Sequence, residues 1–237
     1  MSMWRDAFLV CGKDLRIEFK SKIVFNQVLP FGMVVMLLFG LAIGKFNSNS
    51  LITAAGALSN GGALRSAAAG LFWIAVMLSA VIGVQRSFAI ENQDQARDAL
   101  RLSVLDPGGI FLGKAGALLV QLIVLEVIVA LGAVFLFGMH IVTVWFFCLA
   151  ALLATLSLVA VGIVYGALTS GARTGETLLP LLFFPVIAPV LLAATKACEA
   201  AIAGDPSSGM IWIEVLLAFA VCYLAFGTVA FGPLLEE

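Results

Sequence analysis

One ionisable side chain stands in the middle of a long apolar run, where a charge is most costly. Glu126 lies in LIVLEVIVAL. If this run spans a bilayer, an ionisable group at that depth costs about 2.5–3.5 kcal/mol on insertion scales and usually faces the helix bundle or a water path. Glu126 is therefore either a pathway or conformational-switch group, or a protonated or hydrogen-bonded packing residue. Depth alone does not separate the two.

The residue types that bind metals are isolated from one another. His140, the only histidine, follows the same run in GMHIV; it could contact a haem iron or another metal, although no second ligand set is visible nearby. The four cysteines, Cys11, Cys148, Cys198 and Cys222, form no CxxC pair, so neither a disulfide framework nor a zinc site is expected. A membrane-embedded enzyme would need clustered groups such as HExxH or paired aspartates. We therefore expect no enzyme activity and no cofactor bound by this chain.

A nucleotide-binding motif is suggested by spacing but not by its context. GGIFLGK, Gly108 to Lys114, matches GxxxxGK, but a P-loop needs Ser or Thr next and this chain has Ala115. A P-loop also needs a preceding buried strand, whereas this motif runs straight into an apolar segment. If ATP is used, we expect another chain to bind it.

The composition indicates a membrane protein. The 237 residues are 62% hydrophobic and 11% charged, whereas a soluble domain averages about 45–50% apolar and 25% charged. The scattered basic residues give no face for nucleic acid. A helix needs about 20 apolar residues to cross a bilayer, and we predict six such helices in a single domain, 1–237. The runs are Phe25–Gly44, Ala67–Val84, Ala115–Met139, Val142–Leu168, Thr177–Thr195 and Ile211–Phe231.

The distribution of lysine and arginine predicts the orientation. Ten of these residues fall in the N-terminal segment or in the connections after the second and fourth runs, and three fall on the other side. Cytoplasmic loops carry the excess of positive charge. Both termini are therefore predicted to be cytoplasmic.

The N-terminal segment, 1–22, has a helical pattern of its own. Trp4, Phe8, Cys11, Leu15 and Phe19 recur at spacings of three and four, and most charged residues lie off that stripe. This pattern predicts an amphipathic helix in the cytoplasmic interface of the bilayer. A solvated tail is the alternative.

A polar island, Arg86–Pro107, separates the second and third runs within the predicted cytoplasmic loop 86–114. Its residues from Asp94 to Val104 have a helical pattern with a narrow apolar face that includes Leu100. Asp106 to Gly109 is predicted to end this helix. A short cytoplasmic helix tied to two membrane helices suits the docking of a soluble partner, and a solvated loop is the alternative.

The fifth run combines three prolines with a charge pair at its mouth. Pro180, Pro185 and Pro189 each remove a backbone donor and can kink the helix, and Arg173 and Glu176 precede it at i,i+3. This arrangement suits a moving gate, and it equally suits a bent packing helix. The GxxxG spacings Gly40–Gly44 and Gly162–Gly166 indicate close helix packing.

Four segments resemble the cytochrome c maturation protein B (CcmB) family, the membrane subunit of a haem exporter ABC transporter of the ABC-2 type. They are GALTSGARTGETLLPLLFFPVIAPVLLAATKACEA, which is the specific part, RDAFLVCGKDLRIEFKSK, SFAIENQDQARDALRLSVLDPGGIFLGK and the ending FGPLLEE. The similarity spans essentially the whole chain. Val104 departs from the pattern, because the family often has proline there.

The resemblance implies an all-α ABC-2 permease that works as a homodimer with a separate ATPase subunit and further cytochrome c maturation membrane subunits. The polar island then resembles the family's coupling helix, with Glu91, Asp98, Leu100 and Arg101 as ATPase-coupling residues. Haem is the implied substrate, moved itself or released with a loaded chaperone, and the implied location is the bacterial inner membrane. The alternatives are an ABC-2 exporter of a drug, lipid or glycan, and a passive scaffold for other subunits.

Overall fold

The protein is a bundle of long helices. The computed structural model describes residues 3–21, 24–48, 60–93, 106–137, 139, 141–170 and 175–236. These residues form seven α-helices and a short π-helical segment, Val24–Val28, and contain no strand, which confirms the all-α prediction. The α-helices are α1 (Met3–Ser21), α2 (Leu29–Ser48), α3 (Asn60–Gln93), α4 (Pro107–Phe137), α5 (Val144–Ser170), α6 (Gly175–Ala203) and α7 (Pro206–Glu236).

Five of the six predicted spans are helices long and apolar enough to cross a membrane. They are Ala67–Ala89, Pro107–Phe137, Val144–Ser170, Thr177–Ala203 and Pro206–Pro233, so the chain is a multi-pass membrane protein. The first predicted run corresponds to a shorter apolar stretch, Asn26–Leu41, which covers the end of the π-helical segment and the first part of α2. The sixth span therefore stays a prediction.

Helix α5 lies at the centre of the bundle. It contacts α3, α4, α6 and α7, and the eight consecutive residues Ser157–Val164 are all buried. A helix that is apolar on every side is stable where neighbouring helices surround it. Its Gly162 and Gly166 face α3: a Cβ atom on Gly166 would lie 2.4 Å from the Phe88 ring, and one on Gly162 would lie 2.7 Å from Val84. This GxxxG spacing is thus a packing contact within the subunit.

A tight turn separates α6 from α7. Gly204 has φ +76°, a conformation that glycine adopts without steric cost. The Asp205 N–H then donates to the Ala200 carbonyl at 3.1 Å, which closes the end of α6. Hydrogen bonds from Ser207 and Ser208 hold the pKa of the Asp205 carboxyl below its ordinary value and order the start of α7.

Candidate functional site

The end of α3 and the start of α4, which the polar island connects, define the first part of the candidate site. The coupling candidates Asp98, Leu100 and Arg101 lie outside the described residues, and the backbone of Glu91 belongs to the last turn of α3. Much of the predicted 86–114 loop is helix, because α3 continues to Gln93 and α4 already begins at Pro107. We call this end of the bundle the inner end, since the charge distribution predicts that it is cytoplasmic.

The start of α4 is built by an aspartate–proline pair. The Asp106 carboxylate accepts a hydrogen bond from the Gly109 N–H at 3.1 Å, as an N-cap residue does. Pro107 is the first helical residue, where its missing N–H costs nothing. Asp106 to Gly109 was predicted to end the preceding helix. The helix of the polar island lies outside the described residues, and within them Asp106 to Gly109 forms the start of α4.

A second carboxylate from the N-terminal helix reaches the same helix start. Asp6 of α1 is only 1% exposed, and its Oδ2 accepts a hydrogen bond from the Asp106 N–H at 3.3 Å. A negative charge is favourable beside the unpaired N–H groups at a helix N-terminus. Asp6 therefore ties α1 to Asp106, at the C-terminal end of the polar island.

Three glycines of α4 allow α1 to pack at backbone distance. We call Gly109, Gly113 and Gly116 the glycine seam. A Cβ atom on Gly109 would lie 2.8 Å from the Met3 carbonyl oxygen, and one on Gly113 would lie 2.7 Å from the Ala7 carbonyl oxygen. Both clashing atoms belong to the backbone, so no side-chain rotation could relieve them.

The glycine seam also accounts for the GxxxxGK spacing. Gly108 to Lys114 is helical and packs against α1, whereas a P-loop wraps phosphates with non-helical backbone. The Lys114 side chain is 3% exposed, and its Nζ lies 5.0 Å from the centre of the Phe88 ring. A buried ammonium held over an aromatic face contributes to packing between α3 and α4. The same end of α3 is joined to the π-helical segment by a hydrogen bond from Arg86 to Gln27.

The second part of the site lies at the centre of the bundle. Glu126 is 6% exposed and is hydrogen-bonded to Thr155 of α5. Thr155 Oγ1 also lies 2.8 Å from the Ala151 carbonyl oxygen. The Thr155 hydroxyl is thus within hydrogen-bond reach of two acceptors, the Glu126 carboxyl oxygen and the Ala151 carbonyl oxygen. Glu126 thus points into the bundle and links α4 to α5.

The three prolines of the fifth run lie within α6, which is continuous from Gly175 to Ala203. Pro185 and Pro189 are exposed and Pro180 is partly exposed, so the structure places them on the outer side of this chain. Glu176 is in the first turn of α6, while Arg173 and His140 lie outside the described residues. The exposed Pro185 and Pro189 therefore do not share the buried interior position of Glu126.

An open cavity of about 570 Å³ lies between α5 and α7. Its volume falls within the range of small-molecule sites, about 300–1,000 Å³. The residues that line it are apolar or aromatic apart from a thiol and two phenols: Val164, Tyr165, Leu168, Cys222, Tyr223, Phe226, Ala230 and Pro233.

Comparison with known proteins assigns the chain to a family. The family model described as CcmB protein matches residues 5–236. The chain belongs to the CcmB family. It is 28% identical over 224 residues to Heme exporter protein B of Pseudomonas aeruginosa, with 94% of each chain covered. It is 30% identical over 222 residues to Heme exporter protein B of Paracoccus denitrificans, with 92% of this chain and 94% of the relative covered. The Heme exporter protein B of Haemophilus influenzae is 31% identical over 208 residues, or 86% of each chain.

Three features of this CcmB-family chain were not found from its sequence. Thr155 gave no signal, because a threonine in an apolar run is ordinary. Asp6 was assigned to the polar side of α1, although it is buried against Asp106. Gly109 and Gly113 have GxxxG spacing in the sequence, and this spacing is the signal that could have predicted their packing role.

Removing the cap of α4 is expected to destabilise the inner end of the bundle. Asp106→Ala deletes the acceptor of the Gly109 N–H and should lower the free energy of unfolding by about 1 kcal/mol. Asp106→Asn retains a side-chain oxygen at the same place and should lower the free energy of unfolding much less. Denaturant titration of the detergent-solubilised variants measures the difference, and equal stability of the Ala variant and the unchanged protein would contradict the capping role.

Proposed function

We propose that this chain is the membrane-spanning subunit of an ABC transporter for cytochrome c maturation. It couples ATP hydrolysis by a separate ATPase subunit to haem export or to release of a haem-loaded chaperone. Membership of the CcmB family and the curated relatives named Heme exporter protein B, matched over most of their length, support this proposal. The chain itself is a transporter subunit rather than an enzyme.

The packing at the inner end is the observation that carries the coupling mechanism. The polar island connects two helix ends, and both contact neighbouring elements. Asp6 and the glycine seam attach the start of α4 to α1, and Lys114 attaches it to Phe88 near the end of α3. A displacement of the island would therefore move α1, α3 and α4 together, as in rigid-body switching driven by a partner.

The remaining assignments follow from the family and the charge distribution. Glu91, Asp98, Leu100 and Arg101 are the proposed ATPase-coupling residues. Glu126, Arg173, Glu176 and the three prolines of α6 are the proposed pathway or gate residues, and haem is the proposed substrate. The proposed setting is the bacterial inner membrane with both termini cytoplasmic, in a homodimer with the ATPase and further maturation subunits.

A stain for covalently bound haem tests the proposed function directly. A strain that lacks this gene is expected to lose every c-type cytochrome band on a haem-stained gel, and restoring the gene should restore the bands. Unchanged bands would leave an ABC-2 exporter of a drug, lipid or glycan as the function. Neighbouring genes for an ATPase and other maturation proteins would separate the same alternatives.

A charge on the apolar face of the polar island is expected to weaken ATPase binding. Leu100→Asp places a carboxylate on the predicted docking face, and burying an unpaired charge at an interface costs several kcal/mol. The measurement is co-purification of the ATPase subunit with the tagged permease. Gln95→Asp is the matched control, because it adds the same charge off the predicted face. Undiminished co-purification with Leu100→Asp would contradict the coupling role.

A further inference from the structure

The exposed surface of α1 has an unusually regular composition. Among the residues of α1 whose exposure is described, the exposed ones come in adjacent positions repeated every four residues. Each is apolar, basic or glycine. They are Trp4, Arg5, Phe8, Leu9, Gly12, Lys13, Arg16, Ile17 and Lys20. Trp4 is 66% exposed and Phe8 is 77% exposed, so large aromatic groups and cations share one surface.

The acidic residues of α1 are turned away from that surface. Asp6 is buried against Asp106, and Asp14 and Glu18 are partly buried. Asp14 is also within 3.1 Å of the Lys13 ammonium, which remains 43% exposed. The tertiary structure thus separates the charges of a helix whose sequence mixes them, and its outward surface is positive.

The glycine seam sets the depth of this surface relative to the membrane. At 1.5 Å per residue, the 31 residues of α4 extend about 46 Å, whereas a bilayer core is about 30 Å thick. About ten residues of α4 therefore project beyond the hydrocarbon. Ionisable side chains are costly within the hydrocarbon. Asp6 and Lys114 both lie near the Pro107 end of α4, so we place the projecting residues at that end. Helix α1 packs on this same stretch, with Met3 beside Gly109 and Cys11 beside Gly116, so we expect the start of α1 at the level of the lipid headgroups.

We infer that the exposed face of α1 binds the anionic phospholipid headgroups of the inner leaflet. Trp4 and Phe8 enter the boundary between headgroups and acyl chains, and Arg5, Arg16 and Lys20 pair with headgroup phosphates. Aromatic residues are favoured at this depth, and juxtamembrane cations attract anionic lipids. The inference does not depend on which substrate the transporter moves. It assigns to α1 a lipid site that also orients the start of α4.

Brominated lipids can test this site in the full chain. The protein is reconstituted in phosphatidylcholine bilayers that contain a small fraction of brominated phosphatidylglycerol or of brominated phosphatidylcholine. The Trp4 fluorescence is obtained by subtracting the signal of a Trp4→Phe variant. We expect the anionic lipid to quench Trp4 about threefold more strongly than the zwitterionic lipid, and about 0.5 M salt to remove the difference.

Charge variants decide whether the basic face is responsible. Combining Arg5→Gln, Arg16→Gln and Lys20→Gln should bring the quenching ratio close to one while brominated phosphatidylcholine still quenches Trp4. Lys196→Gln, at an exposed lysine paired with Glu199 on α6, is the control and should keep the threefold ratio. Equal quenching by both lipids in the unchanged protein, or a ratio that survives the triple change, would overturn the inference. So would the absence of quenching by either lipid, which would assign this face to a protein partner.

Discussion

Gly113→Leu is expected to separate α1 from α4 and to abolish transport that depends on their contact. Even a Cβ atom at this position would lie 2.7 Å from the Ala7 carbonyl oxygen and 2.7 Å from the Val10 Cβ. A leucine needs the helices to move apart, and forced overpacking costs about 1–3 kcal/mol of the free energy of unfolding. Because Asp6 moves with α1, the start of α4 would also lose its second carboxylate.

A disulfide can report this separation directly. A Cβ atom on Gly116 would lie 3.9 Å from the Cβ of Cys11, close to the spacing of about 3.8 Å in disulfides. Gly116→Cys should therefore form a disulfide with Cys11 on mild oxidation, detectable by mass spectrometry of the digested protein. Adding Gly113→Leu should lower the yield several-fold, and an unchanged yield would contradict the packing of α1 on the glycine seam.

The chain provides a matched control for this experiment. Gly12 lies on the exposed side of α1 and has no atom within 4 Å of the place where a Cβ would stand. Gly12→Leu makes the same chemical change without a clash, and leucine is a good helix former. It should leave the disulfide yield and the haem-stained bands unchanged, and it should not lower the free energy of unfolding.

Thr155→Val is expected to destabilise the centre of the bundle although valine has nearly the same shape as threonine. Valine removes the hydroxyl that binds Glu126 and leaves a carboxyl group without this partner in an apolar interior. Interhelical hydrogen bonds in membranes contribute about 1 kcal/mol, and an unsatisfied buried polar group costs about 1–3 kcal/mol. The free energy of unfolding in detergent should therefore fall by about 1–2 kcal/mol.

A double-mutant cycle separates the pair from other effects of each substitution. Glu126→Leu removes the buried carboxyl, so Thr155→Val should cost much less in that background than alone. Purely additive losses would show that the two side chains do not stabilise each other.

Glu126→Gln distinguishes packing from transport, because an amide can still bond to Thr155. We expect this variant to fold but to show altered ATPase activity in the complex, and unaltered activity would leave Glu126 a packing role only.

The two regions are joined by a single helix. Helix α4 carries the glycine seam in its first turns and Glu126 near its middle. A displacement that starts at the polar island would therefore reach the Glu126–Thr155 contact through one rigid element. This continuity is why the largest expected effects come from Gly113 and Thr155 rather than from the exposed prolines of α6.

Several elements follow from the sequence alone because they depend on properties of one short segment. Hydropathy and length determine which runs become membrane helices, and five of the predicted runs correspond to helices able to cross a membrane. The amphipathic pattern of residues 1–22 predicts α1, which is helical from Met3 to Ser21. The resemblance of four segments to the CcmB family implies a transporter subunit, and the family match and the relatives named Heme exporter protein B support it.

Other features depend on which helix faces meet, and only the tertiary structure decided these. Asp6 meets Asp106 across 100 residues of sequence, and Glu126 meets Thr155 across 29. In water, a helix has one apolar face, and that face indicates its contact surface. In a bilayer, lipid tails are as apolar as leucine, so hydropathy does not show which side of α4 faces α1, α5 or lipid. Those choices follow from close packing at glycines and from the pairing of a few buried polar groups.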